Sequence, residues 1–101
     1  MILVHASFPV DPDRREAVLD RVETLVEHSR AEEGTIEYRA TTDVTEPNVV
    51  RFVERYEDAA AFEAHTETDH FRAFQEALPE YLVGDPEVVR YEVDSATELD
   101  L

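Results

Sequence analysis

Hydrophobic and polar positions alternate with the period of a strand in four stretches, and recur with the period of a helix between them. Residues 2–8 place Ile2, Val4, Ala6 and Phe8 on one side and Leu3, His5 and Ser7 on the other, as a half-buried strand requires. Asp11-Pro12 then supplies a helix start, with an N-cap Asp and a Pro at the first helical position. Val18, Val22, Leu25, Val26 and Ser29 form a helical stripe, with Arg14, Glu16, Asp20 and Glu27 off it. Gly34 stands where that helix should end, at a C-cap. Thr35–Asp43 alternates again, with Ile36, Tyr38 and Ala40 opposed to Glu37 and Arg39. Thr45-Glu46-Pro47-Asn48 signals a turn. In Val49–Glu57 the residues Val50, Phe52, Glu54 and Tyr56 share a face, with Arg51 and Arg55 on the other. Asp58 caps a short predicted helix, Ala59–His65, and Thr68 a second from Asp69 to about Leu78, with a stripe of Phe71, Phe74 and Leu78. Pro79, Gly84 and Pro86 punctuate the exit, and Glu87–Val93 is the last strand.

The order β-α-β-β-α-β is the ferredoxin-like split βαβ pattern, an α+β fold with an antiparallel sheet and helices on one face. Residues 1–94 read as one domain and residues 95–101 as a short, mobile acidic tail. Both faces of the strands carry apolar residues, so the uncovered face predicts a homodimer packed sheet on sheet.

Charge changes the picture most. The chain has 25 acidic residues against 9 basic ones, a net charge of -16, and every basic residue is Arg. Nucleic acid is excluded as a partner, because phosphate binding needs clustered positive charge. An anionic membrane surface is disfavoured for the same reason. No apolar run approaches the ~18 residues that span a bilayer. The opening MILVHASF has no basic flank or cleavage site and reads as a strand, not a signal peptide. With no cysteine there is no thiolate chemistry or disulfide framework, which fits a cytoplasmic location. So large a charge destabilises a compact chain unless salt screens it, and a halophilic setting is the expectation.

The candidate chemistry gathers in residues 52–74. Glu54 stands in phase with apolar neighbours that face inward, and a buried carboxylate is costly unless paired. Either an Arg such as Arg39 or Arg90 neutralises it, or it marks a site. His65 and His70 are five residues apart, about 140° on one continuous helix, whereas a helical metal pair wants a spacing of four. No metal site is expected, although a break near Thr66-Glu67-Thr68 would turn both rings toward one place. His65 closes the first short helix beside the Glu54 strand and can take a proton near neutral pH. Tyr56, Phe71 and Phe74 are core or substrate platform, and Tyr38 and Tyr91 are open in the same way. His5 is a rim or interface residue and His28 a surface one.

These segments together resemble the antibiotic biosynthesis monooxygenase domain family, including its quinol monooxygenase-like members. The resemblance rests on Glu33-Gly34-Thr35-Ile36-Glu37-Tyr38, Phe52-Val53-Glu54-Arg55-Tyr56, Ala61-Phe62-Glu63-Ala64-His65 and Thr68-Asp69-His70-Phe71. It implies a ferredoxin-like fold, a dimeric α+β barrel and a pocket between sheet and helices. It implies oxidation of a small aromatic quinol or phenol by O2, with no metal, flavin or other cofactor. By position, His65 would be the base or proton relay and Glu54 would orient it. Tyr56, His70 and Phe74 would line the pocket. Phe71 and Tyr38 are further substrate-binding candidates from their own aromatic positions, apart from the resemblance. The strand-end Trp of the family is Tyr56 here and the chain has no Trp, which puts haem degradation in doubt. A proton-transfer isomerase acting on a small metabolite and a non-catalytic ligand-binding dimer are the alternatives.

Overall fold

The structure is a computed structural model that describes residues 1–101. Its strands are β1 (Ile2–Pro9), β2 (Thr35–Thr42), β3 (Val49–Tyr56) and β4 (Glu87–Glu92), and its helices α1 (Arg15–Arg30), α2 (Ala59–Thr66) and α3 (Asp69–Ala77). Short 3-10 turns precede α1 at Pro12–Arg14 and follow α3 at Leu78–Tyr81. The sheet order is β2-β3-β1-β4 with every neighbouring pair antiparallel. This is the ferredoxin-like α+β arrangement expected from the order of elements.

The strand periodicity holds where it matters most. Val50, Phe52, Glu54 and Tyr56 of β3 are all buried, as are Ile2, Val4 and Ala6 of β1. Val18, Val22, Leu25 and Ser29 form the buried stripe of α1. Burial of a Val or Leu side chain contributes ~1.5–3 kcal/mol, so this sheet-to-α1 contact carries much of the stability. The caps are also as expected: the Asp58 carboxylate accepts from the Ala61 N–H, and the Thr68 hydroxyl from that of Phe71.

Three local readings change. Asp11 caps the 3-10 turn, accepting from the Asp13 N–H, and the α-helix begins only at Arg15. That helix ends at Arg30 with Ala31 as its right-handed cap, so Gly34 is not a C-cap. It sits instead in the turn entering β2, with φ +89°. Ile36 does not join Tyr38 inside, because the register shifts between Thr35 and Glu37 and leaves it 49% exposed. A bulge of this kind adds one residue to one strand and re-aims the side chains beside it.

The helix-free face of the sheet carries Leu3, His5, Val53 and Tyr91 among charged groups. Arg39 and Arg55 both pair with Glu37, at 2.8 and 2.9 Å, and Arg51 pairs with Asp43 at 2.8 Å. No helix of the structure is long and apolar enough to cross a membrane.

Candidate functional site

Glu54 lies at the centre of the sheet, opposite Val4 of β1 and Tyr38 of β2. The strand pleat points it toward the helices together with Phe52 and Tyr56, and it is only 6% exposed. Arg39 and Arg90 bond other acidic groups, Glu37 and Glu92, so no arginine neutralises it. Its one bonded partner is the Tyr56 hydroxyl, which donates to Oε1 at 2.5 Å. Burial raises the Glu54 carboxyl pKa to about 7, the Tyr56 bond opposes this, and the charge of Glu32 adds to it. The carboxyl is thus poised to exchange a proton near neutral pH.

Above Glu54 is a cavity of about 330 Å³, within the range of small-molecule sites. Phe52, Tyr38 and Val4 form its floor, Phe71 and Phe74 its roof, and Pro79, Leu82 and Pro86 one side. Gln75 is a second polar group on its wall. The Tyr38 phenol is held well above its usual pKa, first by burial and then by the nearby Glu54 charge. Tyr38 therefore stays neutral where Glu54 titrates.

His65 is placed differently from expectation. It is 1% exposed, yet it does not line the cavity and does not bond Glu54. Its Nδ1 bonds Glu32 Oε2 at 2.9 Å, and its Nε2 is buried without a hydrogen-bond partner. An ionised carboxylate only accepts, so Nδ1 carries the proton and Nε2 a bare lone pair. Burial holds the His65 pKa below its usual value, against the pull of Glu32. Tyr38 and Phe71, which do line the cavity, pack on the His65 ring with centroids at 5.3 and 5.0 Å. His65 thus stands one ring behind the cavity wall. Its ring also meets that of Tyr56 at 5.4 Å.

Of the other expected residues, Phe74, Phe71 and Tyr38 line the cavity. Tyr56 and His70 do not. Tyr56 is fully buried under Phe62 and spends its hydroxyl on Glu54. His70 turns outward to a groove between α1 and α3, and its Nε2 bonds Glu32 Oε2 at 2.6 Å. The two histidines therefore share one carboxylate, because the backbone breaks between α2 and α3 as the Thr66-Glu67-Thr68 sequence allowed. The residue missed from the sequence is Glu32. It lies in a charged run beside Glu33-Gly34, and its type and position gave no sign of an inward role.

An antiparallel sheet roofed on one face by helices, with a ligand-sized cavity over a buried carboxylate, places the protein among ferredoxin-like α+β folds with a pocket between sheet and helices. The family is narrower. Residues 1–77 match the family model described as antibiotic biosynthesis monooxygenase, and the chain belongs to that family. It is 40% identical over 93 residues to YcnE of Bacillus subtilis (strain 168), provisionally named a monooxygenase, covering 92% of this chain and 98% of that one. It is similar to protein SO0527 of Shewanella oneidensis at 31% identity and TM-score 0.84, covering 89% of this chain and 87% of that one. A crystal structure of an antibiotic biosynthesis monooxygenase aligns at 27% identity and TM-score 0.87, covering 94% of this chain and 100% of that chain.

Proposed function

We propose that the protein is a monooxygenase that oxidises a small aromatic quinol or phenol with O2, using Glu54 to take the substrate's hydroxyl proton. The observation that carries this reading is a single carboxylate, bonded by the Tyr56 hydroxyl but neutralised by no arginine, on the floor of a largely apolar cavity rich in aromatic rings. Family membership and the name of the Bacillus relative support the reaction class.

The chemistry follows from the residues. A neutral ring lies between the floor of Phe52 and Tyr38 and the roof of Phe71 and Phe74. Glu54 accepts a hydroxyl proton, and the resulting phenolate is electron-rich enough to reduce O2 by one electron. The two radicals combine at a ring carbon. Loss of water leaves a new carbonyl or hydroxyl on the ring. For a dihydroxynaphthalene, one O2 gives one hydroxynaphthoquinone and one water, with four electrons leaving the ring. Tyr56 and His65 are positioning residues: Tyr56 holds the Glu54 carboxyl, and the His65 ring backs Tyr56 and Tyr38.

Oxygen uptake with a dihydroxynaphthalene, compared between the wild type and Glu54→Gln, tests the reading. Uptake at the autoxidation rate in both proteins would remove it. Turnover that persists without O2 would assign proton-transfer isomerisation to the same carboxyl.

The assembly and setting belong to the same proposal. A homodimer would cover Leu3, Val53 and Tyr91 on the helix-free sheet face, and sedimentation should give twice the chain mass of 11.6 kDa. A monomer at micromolar concentration would rule it out. The net charge of -16 supports a halophilic setting. The melting temperature should rise with KCl, since the Debye length shrinks to ~3 Å at 1 M. An unchanged or falling value would discard that adaptation.

A further inference from the structure

We propose that Glu32, His65 and His70 form a binding site for one divalent transition-metal ion of the zinc type, separate from the aromatic cavity. Their donor atoms all lie within 4.8 Å of one another. Both imidazoles already converge on one oxygen, His65 Nδ1 at 2.9 Å and His70 Nε2 at 2.6 Å from Glu32 Oε2. Zinc bonds nitrogen and oxygen at ~2.0–2.2 Å, so its tetrahedral ligand atoms stand ~3.4 Å apart. Each of these two nitrogen-to-oxygen separations needs to widen by less than an ångström to admit the ion.

Three further observations favour an ion over a plain hydrogen-bond cluster. Glu32 receives bonds from these two imidazoles and from no arginine, so its charge lacks a fixed counter-ion. The site has a closed and an open side. His65 is 1% exposed, whereas His70 faces a groove of about 540 Å³ that also holds His28 and Asp69. Three protein ligands with an open fourth position are a common zinc arrangement, and the groove supplies the path of entry. The donors are also held from outside. The Thr68 hydroxyl donates to the His65 carbonyl at 2.8 Å and caps α3, fixing the break that brings the two rings together.

Two nitrogens and one carboxylate suit Zn, Co or Ni and do not suit Mg or Ca, which seek oxygen. Binding at Nδ1 would move the His65 ring proton to Nε2, exchanging the tautomer. The ion would tie the turn before β2 to the junction of α2 and α3. It would touch none of the reacting atoms proposed above, so this inference does not depend on the oxygenase reading.

The test uses the full chain after chelator treatment, titrated with ZnCl2 by calorimetry in excess MgCl2, which occupies the acidic surface. One ion per chain is expected, with a higher melting temperature. Co2+ should give visible absorption bands of a four- or five-coordinate site, and 15N shifts should report the tautomer exchange at His65. Glu32→Gln and His70→Ala change partly exposed side chains and should fold. Loss of an outer-shell partner costs ~10–100-fold in affinity, so each of these should lose at least ~100-fold. No stoichiometric binding by the wild type would overturn the site. So would wild-type affinity in either variant, which would mark surface carboxylates as the ligands.

Discussion

Glu54→Gln is expected to abolish quinol-dependent O2 uptake and, at pH 8, to raise the melting temperature. The two effects share one cause. Glutamine keeps the shape and can still accept the Tyr56 hydroxyl, but it takes no proton from a substrate. Loss of a general base costs ~10²–10⁴-fold in rate. In the wild type the rate should climb as pH rises through about 7, because only ionised Glu54 accepts the proton. Stability runs the other way. A carboxyl whose pKa is higher folded than unfolded binds more protons in the folded state, so stability falls as pH rises across that interval. The loss begins near the ordinary value of 4.5 and is complete above about 7. A gap of this size corresponds to roughly 3 kcal/mol. Wild type and variant should therefore melt alike near pH 4 and part company by pH 8. Thermal unfolding across that range together with oxygen-electrode rates checks both. A variant no more stable at pH 8 would mean that Glu54 ionises there without penalty.

Gly34→Ala is expected to destabilise the fold by about 3 kcal/mol, from two independent costs. The residue has φ +89°, a left-handed backbone that costs a side-chain-bearing residue ~1–2 kcal/mol. An added Cβ would also stand 2.7 Å from the Ala61 Cβ, and overpacking of this kind costs ~1–3 kcal/mol. In a domain of this size the melting temperature should drop by roughly 15 °C. Gly34 O accepts the Glu57 N–H at 2.9 Å, so the turn, the end of β3 and α2 are fastened together there. Ala61→Gly in the same chain should recover part of the loss by opening space. A melting temperature within a few degrees of the wild type would show that the turn can relax.

Most of the scaffold was legible in the sequence because its signals are local. Period two aligned Val50, Phe52, Glu54 and Tyr56, and the pleat of β3 kept them aligned. Asp58 and Thr68 announced their helices through a side-chain bond made within three residues. Glu54 was legible as a buried carboxylate, and so as a candidate, for the same reason, since a carboxylate out of place in an apolar row needs no long-range knowledge to notice. What was not legible depends on contacts between distant segments. Glu32 meets His65 across 33 positions of chain and His70 across 38. Pairing His65 with Glu54 was reasonable from adjacent elements, but Tyr56 reaches Glu54 first and the α1–β2 turn delivers a different carboxylate to the ring. Ile36 failed because a bulge breaks the alternation without changing residue type. Gly34 was noticed correctly as a special position and given the wrong cause: the helix stops earlier, and the glycine serves the turn.

The ion pairs on the helix-free face have a consequence for the molecule's outer field. Arg39, Arg51 and Arg55 stand there beside Glu37 and Asp43, so that face is close to electrical balance. The excess negative charge is left to the helices, the loops and the tail. The molecule is therefore two-sided, near-neutral on the sheet and strongly acidic on the helices, and not a uniformly charged sphere. Copies meeting through their sheets would join their least repulsive surfaces and hold their acidic sides outward at opposite ends.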